Sequence, residues 1–302
     1  MLRTEALVPP AEPVRTAEAG APVEPDAAEP RLTRVAPGGG WRLLNFRELW
    51  QFRELLFFFV WRDVKVRYKQ TALGVGWVVL QPVLMMAVFT VFFGRLAGMS
   101  SAGLPYPLFA LAGLIPWMYF ASAMGGAGSS ILGAERLVTK IYFPRLAIPI
   151  AAVGVSTVDF CVALGVLGVL MAWFGAVPGA AILLAVPIAL LIGLAGLAFG
   201  TALAALSVRY RDFRYVIPFL IQFWMFATPT VYMQPPADAS GVMAWLMWAN
   251  PLTGLIGGFR AACLGLPIPW EQLALSATVV FVVAVVALAY FRRVEDDFAD
   301  LI

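Results

Sequence analysis

The sequence predicts an all-α polytopic membrane protein with six transmembrane helices, an N-terminal amphipathic interfacial helix and an outer re-entrant helical hairpin. Three observations predict it. Of 302 residues, 61% are hydrophobic and only 13% charged, too apolar a composition to cover a soluble surface. Six runs with little or no charge, at 72–94, 106–132, 147–173, 181–207, 215–233 and 271–291, are long enough to cross a hydrocarbon core of roughly 30 Å. The Lys and Arg residues of the short loops gather on alternate sides of these runs.

Taken in order, residues 1–40 are rich in Pro, Ala, Glu and Arg and lack an apolar h-region or cleavage pattern, so they read as a disordered cytoplasmic tail. Residues 41–71 read as the interfacial helix. On a helical wheel Arg47, Gln51, Glu54, Arg62, Lys65 and Lys69 share one arc, and Leu49, Phe52, Leu56, Val60 and Val64 lie opposite. Phe58 falls in the polar arc and Arg53 in the apolar one. A basic, aromatic-rich helix of this kind suits the membrane surface, its long cations reaching headgroups or a partner. Asp63 and Arg67 point toward the apolar side four residues apart, a spacing at which they can pair with each other.

Residues 72–302 form the spanning domain. Positive charge resists translocation, so the loops with Arg136, Lys140 and Arg145, with Arg209, Arg211 and Arg214, and the tail beginning Arg292-Arg293 are assigned to the cytoplasm. The loop after the third span, GAVPG, has no charge, and the loop after the first has only Arg95. Both termini are therefore expected inside. Residues 242–266 are long enough to cross but contain Asn250-Pro251 and then Arg260, and a crossing there would turn Arg292 and Arg293 outward. Proline removes an amide donor and breaks a helix, so two short helices re-entering from the outer face are expected, sheltered by protein or lining a wet path.

Cys161 and Cys263, far apart in apolar stretches, are expected as buried free thiols. With no histidine, a His-dependent nucleophile or metal site is excluded, and the three lysines, Lys65, Lys69 and Lys140, sit in no phosphate-binding loop. No catalytic, cofactor or metal residue is assigned. The acidic run Glu295, Asp296, Asp297 and Asp300 reads as a solvated tail, with divalent-cation binding for a nucleotide-sugar enzyme as the alternative. Asp159 lies about 18 Å into the third span and should face protein or water.

Seven stretches in order resemble the permease subunit of ABC-2 type polysaccharide exporters, the O-antigen, capsule and teichoic-acid family. They are RDVKVRYKQTALGVGWVVLQP at 62–82, GLIPWMYFASA at 113–123, LVTKIYFPRLAIPI at 137–150, VRYRDFRYVIPF at 208–219, TPTVY at 228–232, NPLTGLIGGFR at 250–260 and FADLI at 298–302. The resemblance covers most of residues 50–302; the Ala/Pro-rich head lies outside it. It implies a subunit of the bacterial inner membrane that exports a lipid-linked glycan, pairs with a second copy of itself, and works with two copies of a separate ATPase that binds ATP and Mg. It also implies a cytoplasmic coupling helix at Glu135, Arg136, Leu137, Val138, Thr139, Lys140, Ile141 and Tyr142, and an outer gate at Asn250, Pro251 and Arg260. The interfacial residues are then Arg62, Asp63, Lys65, Arg67 and Lys69. A glycan path calls for aromatic faces, for which Trp77, Phe89, Trp117, Tyr119, Phe120, Phe223, Trp224, Phe226 and Tyr232 are candidates. The alternatives are an ABC-2 exporter of a drug or small lipid and, from another class, a polytopic glycosyltransferase or acyltransferase.

Overall fold

The computed structural model describes residues 50–69, 74–99, 101, 103–140, 143–210, 212–232, 241–295 and 298. The expected tail at 1–40, the first residues of the interfacial helix, Ile141, Tyr142, Arg211, Asp296, Asp297 and the last four residues lie outside them. Among the described residues the regular structure is entirely helical. The order is α1 (Arg53–Lys69), α2 (Gly76–Phe89, continued by a π-helical stretch Thr90–Leu96), α3 (Tyr106–Gly133) and α4 (Glu135–Lys140). Then follow α5 (Ala147–Trp173), a 3₁₀ turn (Ala180–Leu184) leading into α6 (Ala185–Arg209), α7 (Phe213–Ala227), α8 (Val242–Ala249), α9 (Pro251–Leu264) and α10 (Trp270–Val294).

Among the described residues, five helical segments are long and apolar enough to cross a membrane: Gly76–Leu96, Tyr106–Gly133, Ala147–Trp173, Ala180–Arg209 and Trp270–Val294. The sixth expected run, 215–233, differs: α7 stops after 15 residues. The cause is local. Thr228 precedes Pro229, and the proline ring drives the residue before it out of the helical region, so Thr228 takes extended angles (φ −114°, ψ 132°). The chain continues as a bent segment, Thr228–Val231, called the elbow below.

Helix α3 is the central element, with 78% of its apolar window buried, against 11% for the α2 span. Small residues let α6 close on it. A Cβ added to Gly196 would lie 2.6 Å from the Cβ of Ala123, and one added to Gly200 would lie 2.5 Å from that of Ala127. In lipid, where apolar tails compete for every apolar surface, such backbone approach is a main source of helix affinity. Gly196→Leu is accordingly expected to force α3 and α6 apart and to cost about 1–3 kcal/mol. Thermal unfolding in detergent measures this, and an unchanged melting temperature would show that the contact is not tight.

Helix α1 lies against the bundle on the apolar side that the wheel assigned to it. Its apolar arc, with Phe52, Leu55, Leu56, Phe59 and Val60, packs on the bundle, Val60 lying over Gly154 of α5. The other side exposes Phe57, Phe58 and Trp61 beside Lys65 and Lys69, so that face carries aromatic rings as well as charge. The wheel separated charge from aliphatic residues and underweighted these aromatics. Cys263 is buried as expected, whereas Cys161 is exposed, because α5 turns that residue away from its packed face; both are free thiols.

Candidate functional site

The elbow after α7 is held by side chains from three other places in the chain. Asn250 caps α9, and its amide uses every donor and acceptor it has. Its Nδ2 donates to Thr228 Oγ1 at 2.8 Å and to the Ala227 carbonyl at 3.2 Å. Its Oδ1 accepts from Trp224 Nε1 at 3.0 Å and from the Leu252 amide at 3.1 Å. Tyr106, in the first turn of α3, donates its hydroxyl to the Val231 carbonyl at 2.7 Å.

The third hold is Arg260, only 4% exposed in the middle of α9. It donates to the carbonyls of Pro229, at 3.3 Å, and Thr230. Its guanidinium carbon lies 4.0 Å from the ring centre of Phe109. No carboxylate pairs with it among the described residues, so carbonyl dipoles and a ring face take the place of a counter-ion. Room for this arrangement comes from Gly113, where an added Cβ would collide with both the Thr230 carbonyl and Arg260. Asn250, Pro251 and Arg260 are thus brought together at one elbow, joined by Tyr106, Gly113 and Thr228, which sequence reasoning missed. The TPT run was the available signal, since a proline that ends a helix leaves the carbonyls of the bent segment after it to find partners elsewhere.

A second polar assembly joins α1 to the middle of α5. Asp159 accepts from Arg67 through Oδ2 and from the Tyr68 hydroxyl through Oδ1. This corrects the expected Asp63–Arg67 pair: Asp63 pairs instead with its neighbour Arg62 at 2.8 Å. The fold brings Asp159, 92 residues away, to Arg67, and no spacing rule within one helix reports that. Burial first, and then the hydrogen bond to Asp159, push the Tyr68 phenol above its ordinary range, so it remains protonated and able to donate.

On the side of the bundle that carries the basic loops, Glu135 and Arg136 of α4 are exposed and Leu137 packs inward. The loop that follows is anchored: Phe143 meets Phe59 of α1 edge to face, ring centres 5.7 Å apart. Arg145 lies over Phe298, which packs edge to face on Phe291 of α10 at 5.3 Å. The loop after α4 is thus in contact with α1 through Phe143 and, through Arg145 and Phe298, with the end of α10. In the acidic run, Glu295 pairs with Arg292 at 3.2 Å. Among the described residues no group of three or more His, Cys, Asp or Glu side chains could hold a metal ion.

The aromatic candidates divide. Trp117, Tyr119 and Phe120 are buried in the core, and Trp224 is engaged by Asn250. Phe89 is half-buried on Phe93, and Tyr232 bonds the Phe226 carbonyl at 3.2 Å. Trp77, Phe223 and Phe226 are exposed. Phe223 and Phe226 extend a stripe on α7 that includes Tyr215 and Phe219, both missed; their spacing of four, four and three residues was legible as one helix face.

These features stand beside a direct comparison with known proteins. The model of the ABC-2 type transporter family matches residues 54–264. The O-antigen export system permease protein RfbA of Myxococcus xanthus is 31% identical over 258 residues, covering 85% of this chain and 98% of that protein. A permease of the same name from Klebsiella pneumoniae is 25% identical over 243 residues, 80% of this chain and 92% of its own length. The match spans α1 to α9, taking in the elbow, the α1–α5 junction and the α4 loop, and on that extent the chain belongs to the ABC-2 type transporter family.

Proposed function

We propose that this chain is the transmembrane subunit of an ATP-driven exporter that carries a lipid-linked polysaccharide, O-antigen-like or another cell-surface glycan, across the cytoplasmic membrane of a bacterium. The observation that carries this reading is the 31% identity to an O-antigen export permease over 98% of that protein. ABC-2 membrane subunits are permeases, and ATP hydrolysis lies in a separate subunit. Here two copies of each chain would assemble, with ATP and Mg held by the ATPase.

Each part of the chain has a role in this reading. Helix α4 and the residues to Tyr142 form the coupling segment, moving α1 through Phe143 and Phe59. Helix α7, about 22 Å long, and the elbow beyond it make the sixth crossing, so both termini are cytoplasmic. The pair α8–α9 re-enters from the outer face and gates the path through Asn250, Pro251 and Arg260. The thinly covered α2 and the aromatic stripe of α7 face the path and the second copy, where rings slide past sugar without holding it tightly.

Depleting the chain tests the assignment, with surface labelling of glycan beside total extraction. Lipid-linked glycan should accumulate inside as surface glycan falls. Unchanged glycan on both sides would overturn the cargo and promote a small-molecule substrate.

A further inference from the structure

A cavity of about 540 Å³ lies where the end of α1, the start of α2 and the middles of α3 and α5 meet. Its polar lining includes Arg67, Tyr68, Gln81, Ser122, Ser156 and Asp159, Trp77 supplies an aromatic face, and the rest of the wall is largely apolar. We propose that this cavity binds one sugar ring of the cargo before translocation, an inference that rests on the glycan-export reading above.

The chemistry selects a neutral, hydroxyl-rich ligand. Asp159 has used one lone pair of each oxygen on Arg67 and Tyr68, and a carboxylate retains further acceptor capacity on both. Among the described residues Arg67 makes one side-chain hydrogen bond, to Asp159, with five N–H groups to offer, and its side chain is 47% exposed. Gln81, exposed on α2, offers a donor and an acceptor together. Donors and acceptors set side by side match the hydroxyls of a sugar ring, each of which donates and accepts at once. Trp77, 53% exposed at the cavity wall, presents the ring face on which sugar C–H bonds pack. A phosphate is a poorer match, because the carboxylate of Asp159 already cancels the charge of Arg67. An acyl tail would suit the apolar part of the wall but would leave the remaining donors and acceptors of this cluster unused.

The Arg67–Asp159 contact sets the end of α1 against α5, and α2 begins at Gly76, so both segments flank the cavity. Of the six residues between α1 and α2, 70–73 lie outside those described.

Photo-crosslinking in the full transporter, in cells, tests the proposal. Gln81 is replaced by p-benzoylphenylalanine, with the exposed Val169 of α5 as the control position. After irradiation the purified chain is stained by periodate and hydrazide, which report vicinal diols whatever the sugar. A glycan adduct is expected at position 81 and not at 169. In that background Trp77→Ala should lower the adduct by about fivefold or more at equal assembly, and Trp77→Phe should retain most of it. An unstained adduct of phospholipid mass, or no adduct while surface glycan still depends on the chain, would overturn the sugar site and leave the export reading standing. Surface glycan that does not depend on the chain would remove the reading and the site together.

Discussion

Replacing Arg260 with methionine is expected to abolish export and to open the elbow to reagents from outside, while the chain still inserts and assembles. The guanidinium satisfies the carbonyls of Pro229 and Thr230 in the non-helical elbow beyond α7, and methionine fills similar space but donates nothing. Leaving buried carbonyls without donors costs about 2–4 kcal/mol in all, which shifts a two-state gate by roughly thirtyfold to several hundredfold. Asn250 and Tyr106 still hold the two flanks of the elbow, so the loss is local. Val231→Cys, in a Cys161→Ser background, reads the effect, because Val231 is buried and Tyr106 binds its carbonyl. The cysteine should resist a membrane-impermeant maleimide when Arg260 is present and react when it is methionine. Protection in both, with export intact, would mean that the elbow is held without Arg260.

Reversing the charge of the coupling segment is the second large effect. Arg136→Glu with Lys140→Glu changes the segment by four charge units and is expected to lower both co-purification of the ATPase and surface glycan by at least tenfold. Arg136 is exposed in the first turn of α4, so its substitution leaves the packed loop at Phe143 undisturbed. Charge placed against a complementary patch governs partner selection, and like charges set face to face cost several kcal/mol. Normal co-purification together with normal export would remove α4 as the docking segment. Normal co-purification with lost export would place its role in transmission, along the path from α4 through Phe143 to Phe59.

Much of this architecture was legible before any contact was known. An apolar run of about 20 residues, a cluster of arginines beside it and an Asn-Pro pair inside it are each read over one short stretch of chain. The break at Asn250 falls where the proline requires it, and α9 begins with that proline in its first turn. The α1 helix was legible as a helix and its wheel placed Phe58 in the polar arc, but Phe57 and Trp61, exposed beside it, were not assigned. The end of α7 was also written locally, in Thr228-Pro229, but a hydropathy window averages across a proline and ran on to residue 233.

What the sequence by itself determined was which stretches leave water, which side holds the positive charge and where helices must break. Those properties belong to neighbouring residues and need no partner. Only the tertiary structure decided that Arg67 serves Asp159 and not Asp63, that Arg260 reaches the carbonyls of Pro229 and Thr230, and that Trp117, Tyr119 and Phe120 are spent on the core. Each of these depends on a group some 30 to 90 residues away or on another helix, and on glycines such as Gly113 and Gly196 that let two backbones approach. A buried polar group must be satisfied by whatever the packing brings within about 3 Å, and that choice is made by the fold as a whole.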